Sequence, residues 1–230
     1  DEEEAHAKSA VRLYAELLVT MKAWMSITEP TVPDILRGRL LQGVQNLVDL
    51  LHDAPEWVMS AATYRDPAEY RVVHAVNMCI LSIALGHRID LPRKGLMNLG
   101  MAALYADSGM RRIGVDLSMA VQPGSTAERR GIKEHPLQSA KEVLQTPALT
   151  RAQRDRLLVA YEHHTGRDGS GFPERIKGKP KHLFSTIVSI ADQYDELTSD
   201  QHEVSGQSPS QALETMSKAA GFHDTRLLSI

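Results

Sequence analysis

Apolar residues recur every three or four positions through most of this chain, the period of a helix that buries one face. Tyr14, Leu17, Leu18, Met21 and Met25 line up in this way, and Leu36, Leu40, Val44, Leu47, Val48 and Leu51 do so in the next segment. Two amphipathic helices are therefore predicted to open the protein. The stretch from Pro67 to Ala84 is apolar nearly all round and is followed by Gly86, which predicts a buried central helix ending there, with Tyr70 and His74 on one face. Pro92 suits the first turn of a further helix that reaches Asp107 and is stopped by Ser108-Gly109. Ser125 with Glu128, Thr150 with Gln153 and Ser208 with Gln211 have capping-box spacing and mark three more helix starts. Strand-like alternation is almost absent, and no period of roughly 20 to 50 residues repeats. The predicted fold class is all-α.

Composition narrows the function classes more than the fold. A chain of 230 residues with 42% hydrophobic content can bury a sizeable core, and its net charge of −3 lacks the basic excess that a nucleic-acid face demands. Nucleic acid is excluded as an expected partner. The single cysteine, Cys79, lies inside the apolar stretch from Val72 to Leu85, so neither a disulfide framework nor a thiolate zinc site is expected, and a reducing cytoplasm fits. No uninterrupted apolar run reaches the roughly 20 residues of a membrane span. The acidic start Asp1-Glu2-Glu3-Glu4 is the reverse of a signal peptide's basic opening and reads instead as a cut from a longer protein.

The chemistry concentrates in His163-His164-Thr165-Gly166-Arg167-Asp168-Gly169-Ser170-Gly171-Phe172-Pro173, two imidazoles at a helix end followed by a glycine-rich loop. From Gly166 to His182 the glycines and prolines predict a long irregular connection, the kind of segment that often carries function. His74, Asp107, His135, His163, His164 and Asp192 form a mixed imidazole and carboxylate set drawn from five segments. Such donors suit borderline to hard cations, iron, manganese or zinc. Taken singly, His74 reads as a core histidine bonded to a carbonyl and Asp107 as a turn residue. Asp192 resists that treatment, because a carboxylate on an apolar helix face is costly without a cation or donor. Lys177, Lys179 and Lys181 read as solvated rather than phosphate-binding.

The order of these residues resembles the HD-GYP family, a branch of the HD phosphohydrolases that hydrolyses cyclic dinucleotides, chiefly cyclic di-GMP, at a two- or three-metal site. The likeness runs from about Tyr70 to Met216 and rests on His74-Ala75-Val76-Asn77, Ala102 to Gly109, His135-Pro136, His163-His164, Asp168-Gly169-Ser170-Gly171-Phe172-Pro173 and Ile190 to Thr198. It implies a helical bundle over residues 61–230, with N-terminal helices over 1–60 that pack on or lead into it. It also implies that Asp107 is the catalytic carboxylate bridging two ions, iron or manganese, with His74 and Asp192 completing one site and His135, His163 and His164 the other. Asp168, Gly169, Gly171, Phe172 and Pro173 would contact the substrate, a cyclic dinucleotide or related small anion.

Departures from the family pattern fall on the chemistry. The defining His-Asp pair is Ala106-Asp107, the following lysine is Met110, the glutamate before the first histidine is Tyr70, and the tyrosine of Gly-Tyr-Pro is Phe172. Thr165-Gly166 stands for Glu-Arg, and Gln201 for a phosphate-holding arginine. Six ligand positions survive and two are lost. The expectation is a degenerate phosphodiesterase of reduced activity. The alternatives are a pseudoenzyme that binds a ligand or a signalling partner such as a diguanylate cyclase domain, and a helical module that forms a homodimer through Trp24 and the methionines of the N-terminal helices.

Overall fold

The helical period is realised along the whole chain in a computed structural model that describes residues 2–28, 32–113, 126–145, 149–174, 179–200, 205–219 and 221–230, with 126–130 described in backbone only. Ten α-helices are present among these residues: α1 Glu2–Met25, α2 Asp34–Asp53, α3 Pro55–Ala61, α4 Tyr70–Arg88, α5 Arg93–Ala106, α6 Thr126–Leu144, α7 Arg151–Glu162, α8 Leu183–Thr198, α9 Pro209–Lys218 and α10 Thr225–Leu228. Short 3₁₀ turns precede α4 (Pro67–Glu69) and follow α5 (Ser108–Arg112). Among the described residues β-pairing amounts to one isolated bridge, Thr165 with Gly171. The all-α expectation holds.

Helix ends follow their local chemistry. Thr150 and Ser208 each complete a reciprocal capping box, with Gln153 and Gln211, as their spacing predicts. The third predicted box begins at Ser125, which lies outside the described residues. Three glutamates in the first turn of α1 face its positive dipole end. One boundary differs from expectation. Helix α4 continues through Gly86 to Arg88, because Gly86 gives room for the Leu99 side chain of α5 against the helix.

Helix α4 is the centre of the bundle, flanked by α5 and α8, while α5 also meets α7 and α6 closes over α7. Its buried face runs from Val72 to Ile83 and includes His74 and Asn77. With the turn before it, Pro67–Arg88 is long and apolar enough to cross a membrane by length and composition, yet most of the stretch is buried inside the bundle. Helices α1 and α2 share one hydrophobic cluster with α4, α5 and α8, from Leu13 to Ala191. Trp24 and Met21 belong to it. Trp24 is 1% exposed, its ring edge-on to Tyr105, so it does not supply the partner face expected of it.

Candidate metal centre

All six residues singled out by type and order converge on one point. Asp107 caps the C-terminus of α5, and its carboxylate faces both ways: Oδ1 lies 3.1 Å from His135 Nε2 and 3.3 Å from His163 Nε2, while Oδ2 lies 3.6 Å from His74 Nε2. Asp192, on α8, repeats the pattern, with Oδ1 at 3.1 Å from His74 Nε2 and Oδ2 at 3.2 Å from His164 Nδ1. One donor atom from each of Asp107, His135, His163 and His164 falls within 4.8 Å of all the others, which is the span of a coordination sphere.

Local backbone chemistry aims these rings. Pro136 sits inside α6 and has no N–H to donate to the carbonyl four residues earlier, that of Ile132. His135 Nδ1 takes that carbonyl instead, at 2.6 Å. His163 Nδ1 likewise donates to Val159 O at 3.0 Å, at the end of α7. Both rings are thereby left with Nε2 as a lone pair. Those lone pairs stand 3.2 Å apart, beside the same carboxylate oxygen. Three electron-rich atoms in this arrangement need a shared cation, a proton or a metal ion, and the donor set fits a divalent metal.

Gly109 and Gly171 provide the close approaches that hold the centre together. Gly109 N–H donates to Ser139 Oγ at 2.8 Å, and a Cβ there would lie 2.5 Å from His135 O. Gly171, at φ +84°, packs on the His164 carbonyl, which accepts the Phe172 N–H at 3.1 Å. Phe172 then lies over the imidazoles, 4.6 Å from the His164 ring and edge-on to His135.

Beside the centre is a cavity of about 360 Å³ whose wall includes His74, Asp107, His135, His164, Arg71, Lys133, Met110, Phe172 and Glu196. A neighbouring cavity of about 240 Å³ shares Tyr70, Arg71, Asp107 and Met110 with it. Of the five loop positions expected to touch substrate, Phe172 lines this cavity, whereas Asp168 serves its own loop by accepting from Ser170 N and Oγ. Lys181 is not a solvated lysine. Its ammonium donates to the carbonyls of Thr165 and His163 at 2.6 and 3.3 Å, and so ties down the end of α7. Lys179 is exposed, and Lys177 and Gln201 lie outside the described residues.

Sequence reasoning passed over Arg71, Glu196 and Asp195. The first two line the cavity, and Asp195 Oδ2 accepts from His74 Nδ1 at 2.8 Å. A spacing signal existed for Asp195 and Glu196, which sit one helical turn after Asp192 and so share its face.

Electrostatics separate these groups. Burial opposes the charge on His74, but Tyr70 and the hydrogen bonds to Asp192 and Asp195 outweigh it, and its imidazole is raised well above the usual value. Burial also opposes charge on Asp107 and Asp192, yet the surrounding histidines hold both well below the carboxylate range. His164 is lowered to about 4 by burial and then by His163, so it is a neutral donor at physiological pH. Glu196 is pushed up to about 8 by burial and then by Asp192, and so holds a proton where an ordinary carboxyl has lost it.

These shifts predict a stability maximum for the metal-free protein near pH 6.5. Between about 4.5 and 6.5 the unfolded chain binds protons that His164 and His223, both lowered to about 4, refuse in the fold, while Glu196 alone works the other way. The unfolded state therefore holds one more proton, and stability rises with pH by about 1.4 kcal/mol per unit. Above 6.5 the raised His74 and Glu196 keep protons that the unfolded chain releases, so stability falls toward pH 8. Urea midpoints in chelator at pH 4.5, 6.5 and 8 test this, and a midpoint that still climbs from 6.5 to 8 contradicts it.

Comparisons with known proteins agree with this geometry. A family model described as an HD domain matches residues 46–227. A cyclic di-GMP phosphodiesterase of Pseudomonas aeruginosa is 26% identical over 75% of this chain and 41% of its own length. The cyclic di-GMP phosphodiesterase PdeB of Borreliella burgdorferi is 27% identical over 71% of this chain and 42% of its own. The chain thus spans about two fifths of the length of these curated relatives. An HDG"Y"P protein from Bdellovibrio bacteriovorus, 18% identical, superposes with a TM-score of 0.58 over 91% of this chain and 74% of the other, which establishes the shared helical fold. HD domains are metal-dependent, and the His/Asp cluster described above is of the kind that could bind a metal. The chain belongs to the HD domain family.

Proposed function

We propose that this chain is a metal-dependent phosphodiesterase domain acting on cyclic dinucleotides, cyclic di-GMP foremost, with turnover reduced by substitutions in its site. The observation that carries this reading is the Asp107 carboxylate, shared between His74 on one oxygen and His135 and His163 on the other, at the wall of a cavity that also holds Arg71 and Lys133. His74, Asp107 and Asp192 would hold one ion, and Asp107, His135, His163 and His164 the other. The mixed nitrogen and oxygen donors favour iron or manganese. A bound divalent ion there supplies Lewis acidity toward a phosphoryl oxygen and activates a water. The residues themselves do the rest: Arg71 and Lys133 offer cationic contacts to phosphate, and Phe172 offers a ring face to a base. Asp168, Gly169, Gly171 and Pro173 shape the loop that presents Phe172 to the substrate.

Three substitutions support the reduced turnover. Ala106 leaves no donor where the family's histidine would stand, Met110 puts a thioether in the wall of both cavities, and the Tyr70 ring stacks on His74 with centroids 5.4 Å apart. Hydrolysis of cyclic di-GMP with added Mn²⁺ or Fe²⁺, measured beside metal content, tests the proposal. Slow, metal-dependent formation of linear product is expected. Ala106→His should raise the Mn²⁺ bound per chain, and an unchanged stoichiometry would remove the case for a weakened first site. The same apolar substitutions favour one second reading, a pseudoenzyme that binds ligand or a diguanylate cyclase domain. Metal and cyclic di-GMP bound without hydrolysis would select it.

A further inference from the structure

Behind His74 the buried polar groups form a continuous chain that ends in the first helix. His74 Nδ1 donates to Asp195 Oδ2 at 2.8 Å, Asn77 Nδ2 donates to Asp195 Oδ1 at 3.0 Å, and Tyr14 OH donates to Asn77 Oδ1 at 2.7 Å. Arg65 adds an ion pair to Asp195 at 3.3 Å. Tyr14, His74, Asn77 and Asp195 are 7%, 4%, 0% and 0% exposed, so water does not substitute freely for any of these bonds.

The amide of Asn77 is the link that can fail. Its Nδ2 donates to both Asp195 and the Tyr64 carbonyl, the latter at 3.2 Å, which leaves Oδ1 to the Tyr14 hydroxyl. An inverted amide would set its oxygen against the Asp195 carboxylate. Asp195 and the Tyr64 carbonyl set the orientation of the amide, and Tyr14 supplies the one donor that its Oδ1 meets in that orientation, so the amide is tied at both ends. Burial raises the phenol well above its ordinary range, so it remains a donor at any physiological pH. Tyr14 also lies outside the segment matched to the HD domain family, residues 46–227. Helix α1 thus adds to the site a bond that the matched segment does not contain.

We propose that Tyr14 is a positioning residue for His74, which makes the seating of α1 an input to the metal centre. The proposal rests on the reading of His74 as a ligand. If α1 shifts on the bundle, Asn77 Oδ1 loses its donor, its amide is tied at one end only, and the Asp195 carboxylate that orients the imidazole toward Asp107 and Asp192 is held less firmly, with Arg65 as its remaining fixed partner. Partners one bond behind a ligand, as Asp195 is here, typically alter metal affinity by about 10- to 100-fold, and Tyr14, two bonds further back, belongs at the low end of that range.

Tyr14→Phe in the whole chain tests this, because it removes one oxygen and keeps the ring that packs edge-on to Tyr64. Two measurements are needed: Mn²⁺ titration by calorimetry, and solvent exchange of the His74 Nδ1 proton by ¹⁵N-edited NMR in the metal-free protein. The expected result is an Mn²⁺ affinity lower by about 10-fold, faster Nδ1 proton exchange, and no further effect of Tyr14→Phe on Mn²⁺ binding in a His74→Ala background. A purely structural role would lower the affinity equally in both backgrounds and overturns the proposal, as does a folded variant with both readouts unchanged. A wild-type chain that binds no Mn²⁺ would defeat the ligand reading alone, and the Nδ1 proton would still decide whether Tyr14 holds the imidazole. Should Tyr14→Phe not fold, Asn77→Ala interrupts the same chain and must give the same two changes.

Discussion

Asp107→Asn should abolish Mn²⁺ binding and any hydrolysis of cyclic di-GMP while leaving the helical content intact. The substitution keeps the shape of the side chain and removes the charge that His135, His163 and His74 all face, at 3.1, 3.3 and 3.6 Å. Removing one partner from a buried charged cluster costs on the order of 3–5 kcal/mol. That corresponds to roughly two to four decades in affinity. Because Asp107 reaches histidines on α4, on α6 and at the end of α7, both halves of the centre should fail together. Calorimetric titration with Mn²⁺ gives the answer, and a variant that keeps its affinity within tenfold of the parent would remove Asp107 from the centre.

Gly109→Ala should be damaging although it adds a single methyl group outside the ligands. The added methyl would press on backbone atoms of α6, His135 O at 2.5 Å and Ser139 N closer still, and a backbone cannot rotate out of the way as a side chain can. Overpacking of this kind costs about 1–3 kcal/mol and sometimes more. For a domain of this size each kcal/mol lowers Tm by about 2–4 °C, so a fall of about 2–12 °C is expected. Mn²⁺ affinity should fall as well, because relief of the clash moves Asp107 away from His135. Calorimetric melting of the metal-free variant measures the first effect, and a Tm within about a degree of the parent would show that the turn after α5 yields at little cost.

What the chain shows of itself before folding is uneven, and the reasons are physical. Helices α1, α2, α4 and α5 were legible because each buries one face or nearly all of its surface, and the Thr150 and Ser208 caps were legible because the capping box is set within four residues. The six ligand candidates were legible by type and order, and they do meet. Groups that act through another residue were not. Tyr14 reads as one more apolar position of α1 and Asn77 as a polar residue in a core helix, since nothing in their spacing states what lies opposite. Trp24 misled for a related reason: a large apolar side chain near a terminus has the same pattern whether it faces a partner or the chain's own core.

The chain of hydrogen bonds behind the centre also bears on how the protein acquires its native state. Helices form from contacts within a few residues, whereas His74 meets Asp192 and Asp195 across 118 and 121 positions, Asp107 meets His163 across 56, and Asn77 meets Tyr14 across 63. Each of these pairings closes a long loop, and loop closure is the slow, entropically expensive part of folding. A collapsed intermediate can therefore possess nearly all of the helix and none of the binding site. An ion that binds only the finished site acts as a selector between those two states, pulling the population toward the one form in which the distant segments have met.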